Sequence, residues 1–264
     1  MTRIAHISDI HFGRIKHPSI VQALIDDING ADVDLVVVSG DLTQRAFGHQ
    51  FRAARRMLEA FDAPTLVVPG NHDVFPWWRI FSRLLDPLRR YRKLIEPDLA
   101  PRWKGEGVVV QGINSAFGWT IQGGRITDRE LKQIRTGFDQ ALEGDLRVLV
   151  VHHHLTELEE LGDHDLSRGA RRAFETSHDA GVGLILCGHL HQSHVAHVSV
   201  HEGTRPVIVA TTGTSTSSRA RGEDRSANFY NQILITEEEI TVEERRFEAE
   251  TAQFQATSAH RLKR

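Results

Sequence analysis

Leu66-Val67-Val68-Pro69-Gly70-Asn71-His72-Asp73 couples a short apolar run to a turn that ends in side chains with coordinating chemistry. A turn has use for Gly70 and Asn71, but turn geometry does not ask for the His and Asp that follow. The same arrangement recurs on both sides. Upstream, residues 4–7 precede Asp9-Ile10-His11, and residues 35–38 precede Gly40-Asp41. Downstream, residues 148–151 precede His152-His153-His154, and residues 184–187 precede Gly188-His189-Leu190-His191. In an open α/β sheet, ligands gather outside the carboxyl ends of the strands. Five such ends would bring carboxylate, carboxamide and imidazole groups to one crevice, a donor set that suits a pair of divalent metals.

Between these runs the period changes from strand to helix. Pro18 suits a first helical turn, and Ile20, Leu24 and Ile28 follow on one face. Phe47, Phe51, Ala54, Leu58 and Phe61 recur at spacings of 4, 3, 4 and 3, which predicts an amphipathic helix. Residues 35–38 are continuously apolar, as in a strand covered on both faces. This βαβαβ rhythm predicts a mostly parallel sheet with helices on its faces. Residues 76–95 then read as a helical segment broken at Pro87. Thr127-Asp128-Arg129-Glu130 has capping-box spacing and predicts a helix to about Leu142. Residues 108–113 read as a strand, and a helix is expected near 168–179. The last third is strand-rich, at 195–200, 206–211, 229–235 and 240–244, the last two as a hairpin. The pattern predicts an α/β sandwich of two sheets flanked by helices. One domain over residues 1–247 is expected, with 248–264 as a polar, mobile tail.

The 264 residues are 40% hydrophobic and 25% charged, with a formal net charge of −3. That balance disfavours a broad electrostatic footprint for nucleic acid. The single cysteine, Cys187, cannot close an internal disulfide and reads as a small buried residue. The N-terminus enters strand-like sequence at once, and no run approaches the ~20 apolar residues that span a bilayer. A cytoplasmic protein is expected.

The ordered Asp-x-His, Gly-Asp, Gly-Asn-His-Asp, His-His and Gly-His-x-His segments resemble the calcineurin-like metallophosphoesterase superfamily. The resemblance runs from about residue 3 to residue 191 by motif, and to about residue 247 by element order. Val68-Pro69-Gly70-Asn71-His72-Asp73 and Gly112-Ile113-Asn114-Ser115 are similar to its class III cyclic-nucleotide phosphodiesterase and glycerophosphodiesterase group. The resemblance implies a four-layer α/β/β/α sandwich of two mixed sheets. It also implies a dinuclear-metal phosphodiesterase that cleaves a small phosphodiester by metal-bridging hydroxide attack. Asp9, His11 and His191 would hold the first metal. Asn71, His189 and one histidine of the 152–154 run would hold the second, with Asp41 between them. The family places that histidine just before a His-Pro pair. Leu155 stands at the proline position here, so His153 matches best and His152 is the runner-up. The two divalent ions would be Mn, Fe, Zn or Co, because no cysteine stands at a ligand position. His72 would stabilise the phosphate charge or protonate the leaving oxygen. Asp73 would fix the other ring nitrogen of His72, or cap the helix that follows.

Other residues carry open alternatives. His6 is expected to be a core histidine, and His194, His197 and His201 to decorate an ordinary strand. Residues 76–95 hold Arg79, Arg83, Arg89, Arg90, Arg92 and Lys93 against Asp86, and open with Trp77 and Trp78. They are expected to form a solvated helix face with the tryptophans packed on the core. The alternative is a basic, aromatic surface for nucleotides or lipid headgroups, which leaves peripheral membrane contact open. Residues 118–125, 157–167 and 211–225 are candidate rim loops, and Arg219 or Arg221 would touch a phosphate. The expected partner is a small phosphodiester. Rival readings are a phosphomonoesterase, a nuclease, a lipid-headgroup phosphoesterase at a membrane surface, and a non-catalytic metal-binding scaffold.

Overall fold

Strand side chains alternate between two faces, and here each face has its own cover. The structure, a computed structural model, describes residues 1–264 apart from 121–122, 163–165, 202 and 221–226. β1 (Thr2–Ile7), α1 (Ile20–Gly30), β2 (Leu35–Val38), α2 (Gly48–Leu58) and β3 (Thr65–Val67) form the βαβαβ unit. Their strands pair in parallel. α3 (Ile80–Leu85) and α4 (Arg89–Leu94) follow, parted around Pro87. Then come β4 (Arg102–Gly105), β5 (Val108–Gly112), α5 (Asp128–Thr136), β6 (Leu146–Val150), α6 (Ala170–Asp179) and β7 (Val182–Cys187). β8 (His194–Val198), β9 (Val207–Thr211), β10 (Phe229–Ile235), β11 (Glu239–Glu248) and β12 (Gln253–Lys263) complete the order.

The described strands make two six-stranded sheets, in the orders β12-β11-β10-β1-β2-β3 and β4-β5-β6-β7-β9-β8. Ile4, Leu35 and Val37 of the first meet Val108, Val110, Val148 and Leu184 of the second in one apolar layer. The alternate residues Ala5, Val36 and Val38 pack under Ile20, Leu24 and Phe51 of α1 and α2. On the far side, Val109, Leu149 and Ile185 pack under Leu131, Ile134, Ala173 and Phe174 of α5 and α6. The layers therefore run α/β/β/α, and the central strands are continuously apolar because both of their faces are covered.

Three local expectations change. α5 opens as its capping box predicts, with the Thr127 amide donating to Glu130 Oε2 at 2.9 Å, but it stops at Thr136, before Gly137. β4 is an unexpected antiparallel edge strand. The supposed mobile tail is β12, paired with β11 from Glu239↔Lys263 to Glu248↔Gln253. Its sequence hides this because an edge strand needs few apolar residues when its ladder supplies the order. Phe254 anchors it, buried with its ring centroid 5.3 Å from Tyr230 and 5.4 Å from Phe247. Arg245 of β11 then grips Asp27 of α1 in a fork, Nε–Oδ2 2.7 Å and Nη2–Oδ1 2.8 Å. Truncation of Phe254 to alanine should lower unfolding stability by about 3 kcal/mol. Urea denaturation would show a lower midpoint; an unchanged midpoint would mean that β12 adds nothing to the fold. Among the described residues, no helix is long and apolar enough to cross a membrane.

Candidate metal centre

The parallel strands aim their carboxyl ends at one edge of the sandwich, and the turns there are locked to each other. Past the end of β1, the Asp9 amide donates to the Gly40 carbonyl at 3.1 Å and the His11 amide to the Asp41 carbonyl at 2.9 Å. These turns are strained. Asp9, His11, Asp41, His189 and His191 all have positive φ, at 53°, 52°, 54°, 72° and 60°. That region is sparsely populated by residues with a Cβ, and each such residue costs on the order of 1–3 kcal/mol. Five strained residues, all of them polar and all converging on one edge, mark a place where side-chain aim overrides backbone comfort.

Two clusters result. Asp9, His11, Asp41 and His191 are buried, with one donor atom of each lying within 4.8 Å of all the others. His191 Nε2 is 3.0 Å and His11 Nε2 3.5 Å from Asp9 Oδ1. His152, His153 and His189 form the second cluster. Asp41 lies between them: its Oδ2 is 3.7 Å from His11 Nε2 and its Oδ1 is 3.5 Å from His152 Nε2. Asn71 Oδ1 is 3.2 Å from the same His152 nitrogen.

Backbone carbonyls fix the ring tautomers. His191 Nδ1 donates to the Arg219 carbonyl and His152 Nδ1 to the Ser39 carbonyl, both at 2.7 Å. A carbonyl only accepts, so each neutral ring turns a lone pair at Nε2 into the cluster. Asp9 Oδ2 accepts from Ser8 Oγ at 2.7 Å and from the His189 amide at 2.9 Å. Its other oxygen, Oδ1, is buried without a hydrogen-bond donor. A buried carboxylate oxygen facing imidazole lone pairs is costly unless a cation meets it, so these residues fit metal ions.

The electrostatics agree. Burial alone would raise the Asp9 and Asp41 carboxyls. The imidazoles around them, His191 and His11 at Asp9 and His152 and His72 at Asp41, instead hold both well below the carboxylate range. Burial pulls His152 down, but the Asp41 charge prevails and lifts it to about 9. A cation arriving between these groups would displace that proton.

Asp73 takes a different part from the one expected. Its carboxylate accepts from the amides of Leu42 at 3.2 Å, Thr43 at 3.0 Å and Gly70 at 3.1 Å, and from Thr43 Oγ1 at 2.9 Å. It staples the Gly70 turn to the Asp41 turn, and neither partners His72 nor caps α3. Burial, then the Asp41 charge, push it up to about 7 against those donors. The partner of His72 is the Gln44 carbonyl, 2.9 Å from Nδ1. His153 Nδ1 sits 2.8 Å from Ser115 Oγ. His6 is a core histidine, fully buried with Nε2 2.9 Å from Ser39 Oγ. Cys187 is buried, and burial raises its thiol above the ordinary range.

A cleft of about 220 Å³ opens on the site, walled by Gln44, Arg45, Asn71, His72, Trp77 and Arg219 among others. Arg219 lines this cleft, and Arg221 lies outside the described residues. Arg45 went unnoticed in the sequence, although its place four residues after Asp41 in the same turn was the available signal.

The comparisons with known proteins follow the same line. The calcineurin-like phosphoesterase family profile matches residues 2–193. The 3′,5′-cyclic adenosine monophosphate phosphodiesterase CpdA of Escherichia coli K12 is 25% identical over 201 residues, covering 72% of this chain and 70% of that protein. The glycerophosphodiester phosphodiesterase GpdQ of Enterobacter lignolyticus is 38% identical over 82 residues, 26% of this chain and 29% of that one. A dimetal phosphatase from Danio rerio superposes with a TM-score of 0.67 at 12% identity, covering 99% of this chain and 98% of that one. The purple acid phosphatase PPD1 from yellow lupin seeds gives 0.73 at 10% identity, over 99% of this chain, which spans 53% of the lupin chain. These two likenesses concern the fold. The family profile takes in the Asp9, Asp41, Asn71, His152 and His191 turns together, and the chain belongs to the calcineurin-like phosphoesterase family, a family of phosphoric ester hydrolases.

Proposed function

We propose that the chain is a dinuclear-metal phosphodiesterase acting on a small phosphodiester, a cyclic nucleotide or a glycerophosphodiester. The observation that carries this reading is Asp41, which turns one oxygen to each of two donor clusters. Asp9, His11 and His191 would hold one ion, Asn71, His152 and His189 the other, and Asp41 both. His152 replaces His153 in this assignment. Its Nε2 stands 3.2 Å from Asn71 Oδ1 and 3.5 Å from Asp41 Oδ1. The nitrogen and oxygen donors suit Mn, Fe, Zn or Co. Such ions, when bound, supply Lewis acidity that activates water and neutralises phosphoryl charge.

The chain's own residues do the rest. The Ser39 and Arg219 carbonyls hold His152 and His191 in the ligating tautomer. Arg45 and Arg219 give the cleft positive charge for an anionic diester. His72 donates from Nδ1 to the Gln44 carbonyl, so Nε2 holds a proton for the leaving oxygen only when the ring is charged. Burial pushes that imidazole down to about 4, with the Asp41 charge opposing, and a phosphate anion in the cleft would raise it.

Two neighbouring substitutions separate the roles in the histidine run. His152→Ala should lose bound metal and turnover together. His153→Ala should keep both ions and lose roughly 10–100-fold in turnover, as a supporting residue does. Metal content by plasma emission spectroscopy decides this, and the reverse result would restore His153 as the ligand. The function itself is tested by hydrolysis of bis(p-nitrophenyl) phosphate beside p-nitrophenyl phosphate. Preference for the diester supports the proposal and leads to a panel of cyclic nucleotides and glycerophosphodiesters. Preference for the monoester would make the chain a phosphomonoesterase.

A further inference from the structure

α3 is inside out. A helix on a globular surface normally buries its apolar stripe and shows its charges. Here Ile80, Phe81, Leu84 and Leu85, which share a face at helical spacing, are exposed, Phe81 by 82% and Leu85 by 83%. The residue turned inward is Arg83, whose guanidinium donates to the carbonyls of Gly118, at 2.7 Å from Nε, and of Phe75 and Thr120. That inward grip presents the apolar face deliberately and draws in the neighbouring loop, where Trp119 is 72% exposed. Just ahead of the helix, Trp77 and Trp78 are exposed by 65% and 46%, so they are not packed on the core as the sequence suggested. A contiguous apolar patch of this kind on an otherwise polar surface marks an interaction site.

The charge around the patch says what covers it. Arg79, Arg89, Arg92 and Lys93 are exposed beside it, and Arg79 and Arg89 lie close enough to perturb Arg90. Residues 76–95 carry six basic side chains against one acid, Asp86, in a chain whose net charge is −3. Tryptophan beside arginine on a protruding apolar face is the composition of an interfacial anchor. A second copy of the chain is a poor occupant, since a two-fold contact centred here would set the arginine cluster against its own image.

We propose that the segment from Trp77 to Leu85, with Trp119, docks the protein on an anionic lipid surface. Phe81 and Leu85 enter the headgroup region, and the arginines meet lipid phosphates. Trp77 and Arg83 also wall the catalytic cleft, so docking sets the mouth of the site against the membrane. The proposal concerns attachment and stands whether or not the diesterase reading holds.

The test is sedimentation of the full chain with phosphatidylcholine vesicles and with vesicles containing phosphatidylglycerol. Binding to the anionic vesicles at least about tenfold tighter, and weakening as salt rises, is expected. The double variant Phe81→Ser/Leu85→Ser should lose that binding while keeping its thermal unfolding temperature and its turnover of a chromogenic ester. Equal binding to both vesicles would overturn the anionic specificity. No vesicle binding, or a dimer in solution that the double variant converts to monomer, would overturn the proposal.

Discussion

Replacing Asp41 with alanine is expected to abolish turnover and strip bound metal in the same step. The carboxylate is buried and faces both donor clusters, Oδ2 toward His11 and Oδ1 toward His152. Its Oδ1 also accepts from the His72 amide at 2.8 Å, so it orders the Asn71-His72 turn as well. Loss of Lewis-acid stabilisation worth several kcal/mol corresponds to a rate loss of at least about 10³-fold. His72→Ala is the control. The His72 side chain belongs to neither cluster, so both ions should remain while turnover falls by roughly 10²–10⁴-fold, the usual scale for a lost proton-transfer group. Metal content and kcat measured on the two variants give the result. Loss of metal from His72→Ala would show that it ligates, and the separation of roles would be wrong.

Gly70→Ala should have the second large effect, although the change adds a single methyl group. A Cβ at Gly70 would collide with Asp41 Oδ1, and would stand 2.5 Å from the Asp41 backbone nitrogen and 2.7 Å from its Cγ. A flexible side chain could yield, but the Asp41 amide cannot, because its turn is already hydrogen-bonded to the His11 turn. The overpacking should reduce stability by about 1–3 kcal/mol. Asp41 must also shift, and a misplacement of about 1 Å at a reacting centre costs on the order of 10²-fold in rate. The check is kcat on bis(p-nitrophenyl) phosphate with saturating metal. Wild-type turnover in Gly70→Ala would show that the Asp41 position is not critical. The same close approach recurs at Gly188, where a Cβ would meet Ser8 Oγ and stand 2.6 Å from Asp9 Oδ2.

The layered fold was legible because strands buried on both faces must be continuously apolar, and 35–38, 148–151 and 184–187 are. The clustered turns were legible because a polar coordinating residue after each such run has no packing purpose. Three things were not legible, each for a physical reason. β12 is held by a ladder and one aromatic anchor, and backbone hydrogen bonds leave little trace in side-chain pattern. The choice between His152 and His153 turns on which ring reaches Ser39 and which reaches Ser115, contacts between residues far apart in the chain. Asp73 was read from its neighbour in sequence, yet three of its four donors come from residues 42 and 43, across the sheet edge. α3 misled for a different reason: periodicity shows which residues share a face, not which way that face points.

The central claim is that two donor clusters sharing Asp41 hold a catalytic metal pair. The most direct measurement is titration of chelator-stripped protein with Mn²⁺ while hydrolysis of bis(p-nitrophenyl) phosphate and bound metal are followed together. The account predicts no turnover in the stripped protein, and turnover that rises until two ions are bound per chain. Full turnover in the presence of chelator, or none with Mn²⁺, Fe²⁺, Zn²⁺ or Co²⁺ bound, would contradict it.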